Sequence, residues 1–171
     1  WSSLTARGLD HDGPALLTPS RQWTGREVLA LAAGVQAWLA ELDLPRGTVI
    51  PALLSDTTIC VPVFVAAAGV GRPIAPLGPR LTVAELASAV SRLGSPVIIA
   101  EPAHAELAGR VAEAAGVRAA VLSDPLPSAA PGELPPSLAG EPAPGPDDTA
   151  IVLHTSGTTG LPKAVHYRQR P

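Results

Sequence analysis

The hydrophobic pattern of the chain alternates between helical spacing and short continuous apolar runs. Thr24 and Glu27 form a capping box before apolar residues that recur every three or four positions up to Leu42, which predicts one amphipathic helix. A small hairpin is predicted just before it, over residues 14–24. Strands are then predicted at residues 49–54, 73–77, 97–100 and 117–122, and helices at 56–68, 82–93 and 103–115.

This order of strand and helix predicts the fold class. Strands that alternate with helices form a parallel sheet with right-handed crossover connections. We therefore expect a layered α/β unit with a mostly parallel sheet over residues 1–124. Residues 125–147 are rich in proline, which predicts an extended surface connection, with a site for a proline-reading partner as the less favoured alternative. Residues 148–171 then hold a strand, a polar loop and the start of a further strand, and we expect this last unit to be incomplete.

Composition and charge exclude several function classes. The chain has 171 residues, 46% of them hydrophobic, and a net charge of -3, so no basic surface is expected to bind nucleic acid. The apolar run at residues 59–70 is shorter than the ~20 residues of a membrane-spanning helix and contains Pro62, so no membrane span is expected. Cys60 is the only cysteine, which predicts a buried structural thiol and a reducing, cytoplasmic location.

The candidate chemistry lies in a polar loop after the predicted strand at residues 150–153. Its hydroxyl and glycine residues are Thr155, Ser156, Gly157, Thr158, Thr159 and Gly160, and Pro162 and Lys163 follow. Glycines allow successive amides to turn toward one anion, and hydroxyls add neutral donors around it. Lys163, the only lysine of the chain, adds a positive charge. The pattern therefore predicts a phosphate-binding loop.

Two other interpretations of this loop fit its residues less well. A cluster of Ser, Thr and Gly after a strand is often only a polar hairpin turn, but here the Gly, Pro and Lys positions all suit one anionic ligand. A Walker loop needs four residues between its glycines and a Ser or Thr after the lysine. Gly157 and Gly160 are separated by two residues, and Ala164 follows Lys163, so the spacing excludes a Walker loop.

Residues 155–163 resemble the signature T-S-G-T-T-G-x-P-K of the adenylate-forming (ANL) superfamily, which includes acyl-CoA synthetases, luciferases and the adenylation domains of peptide synthetases. Residues 76–86 are similar to a proline-led strand exit and capped helix in the N-terminal region of that superfamily. The resemblance implies that the chain is part of the N-terminal body of an AMP-binding acyl-CoA synthetase and ends just after the phosphate-binding loop.

The resemblance also implies an activity and roles for the loop residues. The implied enzyme joins a carboxylic acid to AMP with ATP and Mg²⁺ and then transfers the acyl group to coenzyme A. Residues 155–160 would surround the β- and γ-phosphates, Lys163 would act as the catalytic cation, and Thr155 would help to hold the metal. The remainder of the same enzyme, in this chain or a separate one, would be a partner, and these residues alone are expected to be inactive.

Alternatives within and outside the superfamily stay open. The enzyme could thioesterify a preformed adenylate or load a carrier protein, or the chain could be a non-catalytic binding or scaffold fragment. His154 is expected to be a half-buried histidine bonded to backbone, with packing against the nucleotide as the alternative. Asp147 and Asp148 are expected to be solvated, and His11, His104 and His166 to lie on the surface without a metal.

Overall fold

A computed structural model describes residues 11–19, 21–130, 138, 140–155 and 163–169, without the side chains of Thr155 and Lys163. The strands are β1 (Pro14–Leu17), β2 (Gln22–Thr24), β3 (Ile50–Leu53), β4 (Ile74–Pro76), β5 (Val97–Ala100), β6 (Arg118–Val121), β7 (Thr149–Thr155) and β8 (Lys163–Arg168). The helices are α1 (Gly25–Glu41), α2 (Thr57–Gly69), α3 (Val83–Leu93) and α4 (Ala105–Ala115), with a short 3-10 turn at Pro102–His104.

Helices α1 and α3 begin where their capping residues predicted them to begin. In α1 the Thr24 hydroxyl accepts a hydrogen bond from the Glu27 amide at 3.2 Å, and the Glu27 carboxylate accepts one from the Thr24 amide at 2.8 Å. Thr82 and Glu85 form the same capping box at the start of α3. Each pair satisfies two backbone donors that a helix start otherwise leaves open. The capping boxes predicted from the sequence are thus confirmed.

The main sheet has six strands in the order β6-β5-β3-β4-β7-β8. Neighbouring strands from β6 to β7 are parallel, and β8 alone runs antiparallel, beside β7. The chain leaves β3 for β4 on one side and later places β5 on the other side of β3. The predicted mostly parallel α/β sheet is confirmed, and its topological switch point lies between β3 and β5.

Two hydrophobic clusters fill the two faces of the sheet. Helices α1 and α2 pack together on one face, and α3 and α4 pack together on the other. Strand β5 alternates between the faces: Val97 and Ile99 join the α1/α2 cluster, whereas Ile98 and Ala100 join the α3/α4 cluster. This alternation follows from the two-residue period of a strand and explains why all four residues of β5 are buried.

The proline-rich connection contributes to the core on the α1/α2 face. Leu126 and Leu138 are 9% and 4% exposed and belong to that hydrophobic cluster. The Ala129 amide donates a hydrogen bond to the Ala30 carbonyl of α1 at 3.0 Å. At Gly34 an added Cβ would lie only 2.1 Å from the Pro127 carbonyl oxygen, so the connection crosses α1 in direct contact with its backbone. The boundaries at residues 125 and 147 stay a prediction.

An ion pair between the buried Arg72 and the partly buried Glu141 holds the later part of this connection. The side chain of Arg72 is 4% exposed and forms two parallel hydrogen bonds, of 2.9 and 2.6 Å, to the Glu141 carboxylate. The same guanidinium donates to the carbonyls of Leu44 and Val70 at 2.9 and 2.7 Å. These bonds from Arg72 hold the pKa of Glu141 below its usual range. The connection is thereby tied to the turns before β3 and β4.

Three expectations about single residues were wrong in detail. Cys60 is half-buried rather than fully buried, and burial raises the pKa of its thiol. His104 is only 20% exposed and contacts Glu101. Asp148 is not simply solvated, because it pairs with Arg46 at 2.7 Å. None of the helices in the described part of the chain combines the length and the hydropathy of a membrane-spanning segment.

Candidate nucleotide-phosphate site at the carboxyl edge of the sheet

The predicted phosphate-binding loop joins β7 to β8. Because β3, β4, β5, β6 and β7 are parallel, Thr155 at the end of β7 lies at the same edge of the sheet as the carboxyl ends of the other four strands. Ligands of open α/β sheets bind beyond this edge, where the loops that follow the strands converge. The topology therefore places the start of the predicted loop at the edge where a nucleotide would bind.

The two ends of the loop are paired across the hairpin. Thr155 and Lys163 are direct partners in the antiparallel ladder, and His154 pairs with Ala164 one step further from the loop. Directly paired residues have Cα atoms roughly 4.5–5.5 Å apart, so the hairpin brings the backbones of Thr155 and Lys163 together. Ser156, Gly157, Thr158, Thr159 and Gly160, which the sequence assigned to phosphate binding, lie outside the described residues. Their roles stay predictions.

Ala164 occupies a position where the superfamily resemblance suggests glycine. The structure places Ala164 within β8, and the only non-glycine residue with a positive φ among the described residues is Asp43. Extended backbone accepts a Cβ without strain. Alanine after Lys163 therefore costs the hairpin nothing.

His154 precedes the loop and is half-buried, as expected. Its Nδ1 atom is buried and has no hydrogen-bond partner within the described part of the chain, so the expected bond to backbone is not found there. Burial, and secondarily the charge of Arg92, lower the pKa of His154. Both effects favour the neutral imidazole, so His154 is not expected to add positive charge beside the loop at neutral pH.

Glu101, Ser55 and His104 form a polar cluster at the switch point that the sequence did not reveal. Glu101 is 3% exposed, and its carboxylate accepts hydrogen bonds from the amides of Ser55 and Asp56 at 2.9 and 3.0 Å. The other carboxylate oxygen lies 2.5 Å from the Ser55 hydroxyl and 3.3 Å from His104 Nε2. Their positions just after β3 and β5 were the available signal, because the carboxyl ends of adjacent parallel strands meet.

The hydrogen bonds of Glu101 determine its charge. Burial opposes ionisation of this carboxyl group, but the bonds from the Ser55 hydroxyl and from the amides of Asp56 and Ser55, together with His104, outweigh it and lower the pKa. The ionised carboxylate therefore ties the turn between β3 and α2 to the end of β5. This arrangement is not a nucleophile triad, because Glu101 contacts the same histidine nitrogen as Ser55 does.

Replacing Glu101 with glutamine is expected to lower the free energy of unfolding by about 1–3 kcal/mol at neutral pH, because an amide group cannot accept all of these bonds. A group whose pKa is lowered in the folded state stabilises above its unfolded pKa and loses that effect as the pH falls. The difference in the free energy of unfolding between E101Q and the unaltered protein should therefore be constant above about pH 5 and shrink as the pH falls further. Urea unfolding above and below about pH 5 measures it. E113Q, at an exposed position of α4, is the matched control, and a difference independent of pH would contradict the charged role of Glu101.

Comparison with known proteins supports the same assignment of fold. The sequence model of a family described as AMP-binding enzyme matches residues 5–171. Nonribosomal peptide synthetase 8 of Aspergillus fumigatus is 32% identical over 158 residues, which cover 90% of this chain and 2% of that protein. The chain thus spans about 2% of the length of the curated relatives it matches.

Solved structures share the fold at lower sequence identity. ATP-bound MatB from Rhodopseudomonas palustris has a TM-score of 0.78 and 22% identity, over 98% of this chain and 34% of that one. A benzoate CoA ligase from Burkholderia xenovorans LB400 has a TM-score of 0.73 and 20% identity, over 97% of this chain and 33% of that one. The chain corresponds to about a third of each of these proteins.

Proposed function

Because the chain belongs to the AMP-binding enzyme family, we propose that it supplies the phosphate-binding part of a ligase that activates a carboxylic acid with ATP and transfers the acyl group to coenzyme A. The observation that carries this proposal is the β7–β8 hairpin, whose paired ends are Thr155 and Lys163 at the carboxyl edge of the sheet. A loop that starts there can turn its amides toward an anion held beyond the strands.

In the proposed reaction, a carboxylate oxygen attacks the α-phosphorus of ATP, and the bond from that phosphorus to the bridging oxygen of pyrophosphate breaks. Residues 155–160 would hold the β- and γ-phosphates through amides and hydroxyls. Lys163 would offset the negative charge that grows on pyrophosphate as it departs. Catalysis of this kind depends on positioning and electrostatic stabilisation, and no nucleophilic side chain of the chain is needed.

Magnesium would bind mainly through the phosphate oxygens of ATP. Among the described residues, no group of three or more His, Cys, Asp or Glu side chains could hold a metal ion. A hydroxyl such as that of Thr155 suits a Mg²⁺ ion that takes most of its ligands from phosphate and water. The bound ion would neutralise phosphate charge, and the chain's own contribution would be the threonine hydroxyl and the nearby lysine.

A carrier protein is the alternative acyl acceptor. It is favoured by the relationship to a nonribosomal peptide synthetase, which is 32% identical over 90% of this chain. The likeness to a benzoate CoA ligase, at 20% identity, supports the fold and does not distinguish the acceptors. A further alternative is an enzyme that uses only a preformed acyl-adenylate.

The test is whether the complete enzyme that contains this chain exchanges pyrophosphate into ATP when a carboxylic acid substrate is present. We expect exchange that depends on one class of carboxylic acid, and then acyl transfer to coenzyme A in preference to a carrier protein. Transfer only to a carrier protein would favour the carrier protein as acceptor. Thioester formation from a synthetic acyl-adenylate, without pyrophosphate exchange, would favour an enzyme that uses only preformed acyl-adenylate. If no carboxylic acid supports exchange and no acyl-adenylate is used, the proposed enzymatic function is contradicted and a non-catalytic scaffold is favoured. The 171-residue chain alone is expected to give no exchange.

A further inference from the structure

The hairpin that carries the phosphate-binding loop is joined to the rest of the sheet by little backbone pairing. Within the described residues, β7 pairs with β4 at a single position, Ile151 with Ile74. By contrast, β7 and β8 form six paired positions, from Thr149 with Arg168 to Thr155 with Lys163, with one irregularity between Thr149 and Ile151. Helix α2 also contacts β7. The hairpin therefore has little backbone pairing to the rest of the sheet, and side-chain contacts at its base contribute to setting its direction.

Arg46 makes a charged contact at the base of the hairpin. Its guanidinium lies 2.7 Å from the carboxylate of Asp148, the residue just before β7, and also donates to the carbonyls of Pro142 and, at 3.5 Å, Ala143. The Asp148 carboxylate in turn accepts a hydrogen bond from the Gly145 amide at 2.8 Å. The Gly145 bond first, and then Arg46, lower the pKa of Asp148, so the pair is charged at neutral pH.

The same base holds the end of β8. The Asp148 carbonyl accepts a hydrogen bond from the Gln169 amide at 2.9 Å, and the Gln169 side chain donates to the Ala68 carbonyl of α2, also at 2.9 Å. Both strands of the hairpin thus meet at Asp148. Arg46 itself lies against Gly71, where an added Cβ would be 3.3 Å from the guanidinium carbon. Arg46 therefore connects the turn before β3, the turn before β4 and the start of β7.

We propose that Arg46 is a positioning residue for the phosphate-binding loop, acting through Asp148 on the direction of the β7–β8 hairpin. The proposal rests on the proposed function of the loop. Without Arg46 the hairpin keeps its ladder pair with β4, its contact with α2 and the Gln169–Ala68 hydrogen bond, but it loses its charged anchor at the start of β7. We expect its far end, which carries the loop, to move most. Misplaced phosphate ligands weaken both ATP binding and the reaction that follows.

The test uses the complete enzyme with R46A, R46K and, as the matched control, R110A, whose arginine is exposed on α4 and has no ion pair among the described residues. In R46A we expect amide hydrogen exchange in β7 and β8 to become about tenfold faster while β5 keeps its protection. The KM for ATP should rise about tenfold, with little change in the KM for the acid. R46K, which keeps the charge, should recover part of both effects, and R110A should show neither.

Unchanged exchange in β7 and β8 of R46A would overturn the proposal. An equal rise in the KM values for ATP and for the carboxylic acid would also overturn it, because a general loss of structure would weaken the binding of both substrates. If the unaltered enzyme shows no ATP-dependent activity at all, the proposed function fails, and the positioning of the loop for ATP fails with it. Hydrogen exchange would still show, in that case, whether Arg46 holds the hairpin.

Discussion

Replacing Lys163 with alanine is expected to lower the kcat of acid-dependent adenylate formation about 100- to 1,000-fold in the complete enzyme. Lys163 is the only lysine of the chain and begins β8, directly opposite Thr155. A cation next to the departing pyrophosphate gains most of its interaction energy as negative charge develops there. Its loss should therefore affect kcat more than the KM for ATP. Pyrophosphate exchange and single-turnover formation of the adenylate measure the two effects.

A second variant of Lys163 separates charge from geometry, and a variant of Arg110 serves as the control. K163R keeps a positive charge but replaces a compact ammonium group with a planar guanidinium, so it should recover only part of the activity. R110A removes one exposed positive charge on α4 and should leave kcat unchanged. If K163A formed adenylate at the same rate and with the same dependence on ATP as the unaltered enzyme, the role of this lysine would be disproved.

Much of the fold could be predicted because its signals are local. The capping boxes at Thr24 and Thr82 indicated the starts of α1 and α3, and apolar runs of four to six residues between helices marked the strands β3 to β6. Helix α4 was predicted to begin at residue 103, but residues 102–104 form a 3-10 turn and the helix begins at Ala105. Hydrophobic spacing does not distinguish these two kinds of turn over so few residues.

The contacts that depend on partners far apart in sequence could not be predicted. Arg72 and Glu141 are 69 residues apart, and Ser55 and Glu101 are 46 apart. The sequence around Glu101 does not indicate that its carboxylate will be buried, because its three hydrogen-bond donors on Ser55 and Asp56 lie at the exit of another strand. The proline content of the connection indicated extended backbone but not its contact with α1.

The candidate site could be predicted only in part, because the direction of the loop also depends on residues far apart in the sequence. The residue types of the loop indicate the chemistry of its ligand, since hydroxyls, glycines and one lysine all suit phosphate. The direction in which the loop points depends on the sheet order and on Arg46, 102 residues from Asp148. Local composition carries no information about such an anchor.

Replacing Gly34 with alanine is expected to lower the free energy of unfolding by about 2 kcal/mol, although alanine is the better helix former. Gly34 lies in the middle of α1, and an added Cβ would be 2.1 Å from the Pro127 carbonyl oxygen and 2.8 Å from the Ser128 nitrogen. Both are backbone atoms that cannot rotate away. The connection must therefore shift off α1, which weakens the Ala129–Ala30 hydrogen bond and exposes Leu126. Urea unfolding measures the loss.

Gly109 provides the matched control, because it also lies within a helix but has no atom within 4 Å of an added Cβ. G109A should raise the free energy of unfolding by roughly 0.5–1 kcal/mol, the ordinary gain from replacing glycine in a helix. The two variants therefore make the same chemical change and are expected to have opposite signs. If G34A were stabilising like G109A, residues 127–129 could not lie against α1. If G34A is destabilising, proteolysis should also cut the connection faster, since its contacts with α1 are what protect it.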